Sequence, residues 1–167
     1  MTEMLAEKII KTLDGEGIEY KYYKHEPVKT SEEAAKVRKE PSKIGAKAIL
    51  FFADKTPLLI IVPGDRRVGT KTFKSNHNIK DLRMASPEEV LSITSVEIGG
   101  VPPFGSLMGI KTYCDESVFE NEFIAFNAGA RDITIKMKSE DYKKVENPII
   151  SSFSLTKSED TLRVIKV

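Results

Sequence analysis

Two apolar runs of strand length follow one another in the sequence: AKAILFFA at residues 46–53 and PLLIIV at residues 57–62. The three residues between them, Asp54, Lys55 and Thr56, are typical of a turn. Apolar runs of this length around a short polar turn favour an antiparallel hairpin. We therefore expect this hairpin at the centre of a sheet.

Helical and strand patterns flank the hairpin. Apolar residues recur at helical spacing in residues 3–14 and are followed by glycines, which predicts a helix with a glycine stop. Thr30 and Glu33 form a capping-box pattern that predicts the start of a second helix, and Ser86 before a proline predicts another. The other predicted elements are strands at 18–24, 107–113, 123–127 and 132–137, helices at 70–75 and 139–145, and a closing hairpin formed by 149–155 and 161–167.

The composition limits the number of domains, the location and the cofactors. A chain of 167 residues with 40% hydrophobic residues suits one domain with a real core, so we expect a single domain over residues 1–167. No run approaches the roughly 18 apolar residues of a membrane span, and residues 1–13 lack the apolar core of a signal peptide. We therefore expect a cytoplasmic protein with no membrane partner. Cys114 is the only cysteine and no His/Cys cluster exists, so the sequence implies no metal and no cofactor.

Positive charge is concentrated in the middle of the chain. The formal net charge is +1, but residues 36–83 contain twelve Lys or Arg and four Asp or Glu. This segment therefore has a formal charge of +8, and the remainder has about −7. A basic segment in a nearly neutral protein favours an anionic partner such as RNA, and no basic amphipathic helix accompanies it to suggest a membrane surface. A solvated surface without such a partner is the alternative.

A loop rich in glycine and proline, EIGGVPPFG, occupies residues 97–105. Glycine allows a positive φ or the close approach of a ligand to the main chain, and proline fixes φ and removes an N–H donor. Such a loop can direct backbone N–H groups at an oxyanion, although a tight turn between two elements would use the same residues. The predicted donors are the N–H groups of Gly99, Gly100 and Val101, because the two prolines that follow have none.

Lys47 stands at the head of the first apolar run. The period of two in a strand places it on the same face as Ile49 and Phe51. An ammonium group partly removed from water can stabilise an ester oxyanion or bind a phosphate, although a lysine at a strand end can also extend to solvent. With the 97–105 loop, Lys47 would form a site for acyl transfer. We therefore expect its side chain to face the N–H groups of that loop across one pocket.

Other residues could contact a ligand. The Asn-Ala-Gly sequence at 127–129 interrupts an apolar strand with small residues, which allows a ligand to approach, although a strand end or a bulge is the alternative. Tyr23 and His25 lie where the first predicted strand ends and could hydrogen-bond a ligand or serve the fold. Asp65, beside two arginines, could accept a hydrogen bond in a turn or contact a ribose or an amino group.

Several short segments occur in an ordered set along most of the chain. They are TSEEAA at 30–35, Lys47 before its apolar strand, IVPGD at 61–65, RMAS at 83–86, GGVPPFG at 99–105, Asp115-Glu116, and NAG at 127–129. In this order they resemble the YbaK and prolyl-tRNA-synthetase-associated editing domain family. The resemblance extends over about residues 20–145 and depends on the ordered set, since no single motif is decisive.

The resemblance implies a compact α/β fold with a mixed, largely antiparallel central sheet flanked by helices. It also implies hydrolysis of the ester that joins a wrong amino acid to the terminal adenosine of a tRNA, without a metal. In the family, a lysine that matches Lys47 helps to hold the acceptor end, and a G-x-x-x-P loop that matches Gly99 to Pro103 supports the oxyanion while a ribose hydroxyl helps to activate water. The tRNA acceptor end is the implied partner, with an aminoacyl-tRNA synthetase as a second candidate.

These arguments define a predicted site. The predicted catalytic residues are Lys47, Gly99, Gly100 and Val101, and the predicted substrate-binding residues are Tyr23, His25, Thr30, Asp65, Pro103, Phe104, Asn127, Ala128 and Gly129. Ala128 replaces a serine, and Ala48 a threonine, of the family members that remove cysteine. The resemblance therefore does not extend to cysteine specificity.

The leading prediction is a free-standing aminoacyl-tRNA deacylase for tRNA that carries a wrong, small amino acid. A synthetase pocket rejects a smaller amino acid by only about 10- to 200-fold, so a second site is needed to hydrolyse the error. One alternative is a non-catalytic module that binds tRNA or a synthetase through the same pocket. Another is a hydrolase of a different small ester or amide.

Overall fold

The computed structural model describes residues 2–28 and 30–156. The helices are α1 (Thr2–Gly15), α2 (Ser31–Arg38), α3 (Thr70–His77), α4 (Pro87–Thr94) and α5 (Ser139–Glu146). The strands are β1 (Tyr20–Lys24), β2 (Ala46–Ala53), β3 (Thr56–Pro63), β4 (Arg67–Val68), β5 (Leu82–Met84), β6 (Lys111–Asp115), β7 (Phe123–Asn127), β8 (Ile133–Lys138), β9 (Ile149–Ser151) and β10 (Ser154–Leu155). Short 3₁₀ helices occur at Ser42–Ile44, Gly105–Met108 and Glu116–Glu120.

The predicted hairpin is confirmed and lies at the centre of a five-stranded sheet of order β5-β2-β3-β6-β9. β2 and β3 pair antiparallel, from Ala46 opposite Pro63 to Ala53 opposite Thr56. β5 pairs antiparallel with β2, whereas β3 with β6 and β6 with β9 are parallel pairs, so the central sheet is mixed as expected. Two smaller antiparallel sheets, β1-β8-β7 and β10-β4, complete the described strands.

Both faces of the hairpin are buried, which explains its nearly continuous apolar sequence. Leu59 and Ile61 of β3 pack into a larger core that includes apolar residues of α1 and β8. Ile60 and Val62 point to the other face and pack into a smaller core with Phe73 of α3. A strand covered on both faces needs apolar residues at successive positions, because neither face meets water.

The helix starts follow the capping patterns in the sequence. Thr30 Oγ1 accepts a hydrogen bond from the Glu33 N–H at 3.0 Å, which confirms Thr30 as the N-cap of α2. Ser86 and Glu89 form a complete capping box at α4, with bonds of 3.2 Å and 2.9 Å. Within residues 2–28 and 30–156, no helix combines the length and the apolar composition needed to cross a membrane.

Two predicted elements differ in the structure. The predicted strand at 107–113 begins later, because Gly105–Met108 forms a 3₁₀ helix and β6 starts at Lys111. The prediction that residues 149–155 form one strand of a closing hairpin is wrong. Residues 149–155 divide into β9, which pairs with β6, and β10, which pairs with β4. The second half, 161–167, lies outside the described residues.

A buried carboxylate at the end of β6 explains why residues 149–155 divide. Asp115 is 1% exposed. Its Oδ1 accepts hydrogen bonds from the N–H groups of Phe153 (2.7 Å) and Ser154 (2.8 Å). Its Oδ2 accepts from the Ser154 hydroxyl at 2.8 Å, the Ser117 N–H at 3.1 Å and the Ser117 hydroxyl. The backbone turns toward Asp115 because its N–H groups bond to this carboxylate instead of continuing the β9 ladder.

Burial and hydrogen bonding act in opposite directions on the pKa of Asp115. Burial raises the pKa, since a charged carboxylate is costly away from water, but the hydrogen bonds to the charged form outweigh it. The pKa of Asp115 in the folded protein is therefore below its ordinary value. The ionised carboxylate thus contributes to stability.

The first testable prediction concerns the centre of the sheet. Ile61 is 0% exposed, so Ile61→Ala removes buried methyl groups and leaves a cavity in the larger core. We expect the free energy of unfolding to fall by about 2–5 kcal/mol in urea denaturation. Met84, which is 57% exposed, provides the control, because Met84→Ala should change stability by less than about 0.5 kcal/mol. Equal losses in the two variants would contradict the fold described above.

The second prediction concerns acid stability. Asp115→Asn should lower the free energy of unfolding by about 1–3 kcal/mol near neutral pH, because an amide nitrogen cannot accept the serine hydrogen bonds. The folded-state pKa is lowered, so the stabilisation is present above the unfolded-state pKa of about 3.9 and is lost as the pH falls through the folded-state pKa.

Urea denaturation at a series of pH values should therefore show the wild type and Asp115→Asn converging below about pH 4. The exposed residue Asp81 provides a control, and Asp81→Asn should follow the wild type throughout. A stability difference that stays constant with pH would show that the charge of Asp115 contributes nothing.

Candidate active site

A cavity of about 300 Å³ lies at one end of the central hairpin. Its walls come from the start of α2, the start of β2, the turn after β3, the loop after α4 and the end of β7. The lining residues are Thr30, Glu32, Ala34, Gly45, Ala46, Lys47, Ala48, Gly64, Asp65, Arg66, Arg67, Gly99, Val101, Ala125, Phe126 and Asn127. Antiparallel pairing explains two of these walls, because it places the start of β2 opposite the end of β3.

Lys47 is half-buried in the wall of the cavity. Its Nζ donates a hydrogen bond to the backbone carbonyl of Arg66 at 2.9 Å. Arg66 lies in a tight turn, in which its own N–H donates to Pro63 O at 3.0 Å. The lysine on β2 is therefore tied to a turn that the end of β3 holds in place, and its ammonium group stays at the cavity.

Charged side chains of both signs line the cavity. Lys47, Arg66 and Arg67 supply three cations, and Glu32 and Asp65 supply two carboxylates. Three basic residues of the 36–83 segment therefore lie at the same cavity. The number of charges in the sequence could not show this proximity. The excess of cations in a concave site attracts anionic ligands.

Two hydrogen bonds orient the peptide groups of the loop at residues 97–105. One comes from a side chain of β7 and the other from a backbone amide in the turn after β7. Asn127 Nδ2 donates to Gly99 O at 2.6 Å, and the Gly129 N–H donates to Gly100 O at 2.8 Å. No cis peptide bond occurs in the described residues, so each N–H points away from the carbonyl of its own peptide group. The Gly100 N–H, which shares a peptide group with the Gly99 carbonyl, donates to Glu97 O at 2.9 Å.

This geometry corrects the expectation for Gly100. Its N–H is bonded to Glu97 O and it does not line the cavity, so it does not present a donor there. Gly99 and Val101 do line the cavity together with Lys47. Neither the Gly99 nor the Val101 N–H has a hydrogen-bond acceptor among the described residues. Two loop amides are therefore available at this site.

The loop needs glycine at two adjacent positions. Gly99 has a φ of +90°, a conformation that residues with a side chain rarely adopt. Gly100 packs closely against the main chain, and a Cβ there would lie 3.1 Å from the Ala130 Cα. The glycine pair thus allows the loop to fold against the turn that follows β7.

Pro103 and Phe104 support the loop from inside the protein. The Tyr142 hydroxyl on α5 donates to Pro103 O at 2.6 Å. The Phe104 ring is 1% exposed and packs between Phe126 and Tyr142, at centroid distances of 5.4 Å and 5.3 Å. Neither Pro103 nor Phe104 lines the cavity, so the structure does not bring these two predicted residues together with Lys47. Apolar residues after a glycine turn are drawn into the core by burial.

Four other predicted residues lie outside the cavity. The His25 ring bonds through Nε2 to Thr134 Oγ1 at 2.6 Å and through Nδ1 to Glu26 O at 2.7 Å, so it serves the fold. Tyr23 is exposed on β1. Ala128 is 0% exposed, and the Gly129 N–H donates a hydrogen bond to the Gly100 carbonyl of the loop. Sequence proximity suggested these residues, but strand alternation and burial direct them elsewhere.

The cavity does contain the predicted residues Thr30, Asp65 and Asn127. Residues that sequence reasoning missed include Arg66 and Arg67, which follow Asp65 directly. Ala125 was also missed, although the period of two in a strand could have placed it on the same face of β7 as Asn127. The other cavity residues were not predicted to be in the site: Glu32, Ala34, Gly45, Ala46, Ala48, Gly64 and Phe126. Glu32, Ala34 and Gly64 do lie in the TSEEAA and IVPGD segments that carry the family resemblance.

Cys114 does not contribute a nucleophile to this site. It is 0% exposed and lies in the larger core. Burial first, and the neighbouring Asp115 carboxylate second, raise the pKa of its thiol well above the usual range, which keeps it protonated. Among the residues that the structure describes, no three His, Cys, Asp or Glu side chains form a group that could hold a metal ion.

Comparisons with known proteins concern the family and the fold. The family model for the aminoacyl-tRNA editing domain matches residues 25–145. The multifunctional Ser/Thr-tRNA deacylase ProXp-y of Escherichia coli (strain K12) is 29% identical over 166 residues, which cover 93% of this chain and 99% of that protein. A proline–tRNA ligase of Solidesulfovibrio magneticus is 34% identical over 105 residues, 62% of this chain but only 18% of the ligase.

A solved structure agrees in fold. The chain superposes on a candidate trans-editing enzyme for prolyl tRNA synthetase with a TM-score of 0.78 and 22% identity, over 90% of this chain and 96% of that one. At this identity the likeness concerns the fold, which matches the expected α/β class with a mixed sheet. Because the family model covers well over half of the sequence, the chain belongs to the aminoacyl-tRNA editing domain family.

Proposed function

We propose that this chain is a free-standing aminoacyl-tRNA deacylase that removes a wrong, small amino acid from tRNA in the cytoplasm. The observation that carries the proposal is the shared cavity of Lys47, Gly99 and Val101. It joins a cation to two amides without an intramolecular acceptor, which is what a developing oxyanion requires. The match to nearly the whole length of a Ser/Thr-tRNA deacylase supports the same reaction.

The reaction is hydrolysis of the ester between the amino acid and the ribose of the terminal adenosine. Water attacks the carbonyl carbon, and the carbonyl oxygen takes up negative charge in a tetrahedral intermediate. The N–H groups of Gly99 and Val101 donate to this oxygen, and the Lys47 ammonium lies near it or near the terminal phosphate. The carbon–oxygen bond to the ribose then breaks, the ribose oxygen takes a proton, and free amino acid and tRNA are released.

The group proposed to help activate the water is a hydroxyl of the substrate's own ribose, which takes a proton from the water and passes its own proton to the leaving ribose oxygen. The resemblance to the family suggests this assignment, in which the terminal ribose helps to activate the attacking water. The cation-rich wall formed by Lys47, Arg66 and Arg67 would then hold the acceptor end so that the hydroxyl and the ester meet. Similarity to part of a proline–tRNA ligase supports a mischarged product of such a synthetase as the substrate.

The lining of the cavity supports a small amino acid. Alanines contribute much of the apolar wall, namely Ala34, Ala46, Ala48 and Ala125. The total volume of about 300 Å³ must also admit part of the terminal adenosine. A second site of limited volume can exclude the larger, correct amino acid by steric overlap and hydrolyse the smaller, wrong one.

The third prediction is that Lys47→Ala lowers kcat/KM for deacylation by about 10²- to 10³-fold, because a positioned cation at the oxyanion or the terminal phosphate is removed. Release of labelled amino acid from charged tRNA measures the rate, and thermal unfolding checks that the variant is folded. Lys144 is exposed on α5 and outside the cavity, so Lys144→Ala removes the same charge as a matched control. Undiminished turnover in Lys47→Ala would remove Lys47 from the mechanism.

The fourth prediction is that the purified protein releases a small amino acid from at least one of alanyl-, cysteinyl-, seryl- and threonyl-tRNA and leaves correctly charged prolyl-tRNA intact. A panel of charged tRNAs under single-turnover conditions provides the test. Saturable binding without release from any of them would favour a non-catalytic module. Equal turnover of small aminoacyl esters that lack the tRNA would favour a different hydrolase.

A further inference from the structure

The segment after α5 contacts a residue of the cavity wall, although this segment lies beyond the residues that the family model matches. The family match ends at residue 145, and β10 begins at Ser154. Ser154 Oγ accepts a hydrogen bond from Arg66 Nη1 at 3.2 Å. Arg66 lines the cavity, and its carbonyl accepts the hydrogen bond from Lys47 Nζ. A residue outside the recognised domain thus contacts a cation inside the candidate site.

Ser154 is itself held in place by a buried group. Its hydroxyl donates to Asp115 Oδ2 at 2.8 Å, and its N–H donates to Asp115 Oδ1 at 2.8 Å. Its backbone also pairs with Val68 of β4, which follows the Arg66 turn directly. The hydroxyl hydrogen is therefore directed to the carboxylate, and a lone pair is directed to the guanidinium. The serine bridges a buried anion and a cation at the cavity.

This bridge matters because an arginine side chain has many rotamers. Fixing such a side chain costs conformational entropy, and a bond already present in the free protein removes part of this cost from ligand binding. Only Nη1 of Arg66 is used by Ser154. The remaining guanidinium N–H groups can donate two parallel hydrogen bonds to a phosphate.

We propose that Ser154, anchored on Asp115, is a positioning residue that holds the Arg66 guanidinium in the cavity to bind a backbone phosphate of the tRNA acceptor end. The proposal rests on the proposed function for the identity of the anion. The proposal adds residues 151–155 to the elements that support the candidate active site. In this arrangement, Arg66 contacts the RNA, whereas Ser154 acts only through Arg66.

The fifth prediction is tested with an uncharged RNA hairpin that carries an acceptor stem and a CCA end. Ser154→Ala should weaken its binding by about three- to tenfold, the effect expected from one hydrogen bond. Arg66→Ala should weaken binding further and reduce the slope of log K against log salt by about 0.7–0.9, as for one lost phosphate contact. Ser154→Ala in the Arg66→Ala background should have no further effect, since the two residues act as a unit.

Two variants control for folding. Ser154→Thr keeps a hydroxyl and should bind the hairpin like the wild type. Ser152 is exposed, and among the described residues its hydrogen bond is made through its carbonyl, so Ser152→Ala should have no effect. In deacylation assays, Ser154→Ala should raise KM while kcat stays within about twofold, because a contact common to substrate and transition state is weakened. A general loss of structure would lower the active fraction and kcat instead.

The outcomes separate this proposal from the proposed function. If Ser154→Ala binds the hairpin like the wild type, if its effect adds to that of Arg66→Ala, or if the wild type does not bind the hairpin, the positioning role is wrong. If the binding cycle behaves as expected but no charged tRNA is deacylated, the positioning role stands and the deacylase function fails.

Discussion

The site depends on the antiparallel pairing of β2 and β3 in the interior of the protein. With Ala46 opposite Pro63, the start of β2 and the end of β3 lie side by side, so Lys47 meets the turn that carries Asp65 to Arg67. Burial of the hairpin on both faces makes this register costly to change, since a shift by one residue would exchange its two faces. The Lys47–Arg66 bond therefore forms at a place that the core defines.

The second wall of the site depends on peptide orientation. Asn127 and Gly129 bind the carbonyls of Gly99 and Gly100, and a trans peptide then directs each following N–H to the opposite side. The Gly100 amide donates to Glu97 O inside the loop, whereas the Val101 amide has no acceptor among the described residues. A loop of this kind requires little reorganisation during a reaction, because its dipoles are already oriented by neighbouring strands.

A buried carboxylate links the end of the described chain to the same region. Asp115 binds the backbone and the hydroxyl of Ser154, and Ser154 binds Arg66. The interior stabilises this carboxylate through several donors, which is why its pKa is lowered despite burial. The stability of the fold and the arrangement of a cation at the cavity are thus connected through one side chain.

The sequence by itself determined the elements whose causes are local. Two continuous apolar runs around a polar turn predicted the hairpin, capping residues predicted α2 and α4, and the ordered segments indicated the family. Lys47, Asp65 and Asn127 were also identified, because each is a polar residue close to one end of a predicted apolar strand. Only the tertiary structure decided that the Gly100 amide is satisfied, that Phe104 is buried, and that Arg66 bonds to Ser154. These outcomes depend on contacts between residues far apart in the chain, and neither periodicity nor spacing contains that information.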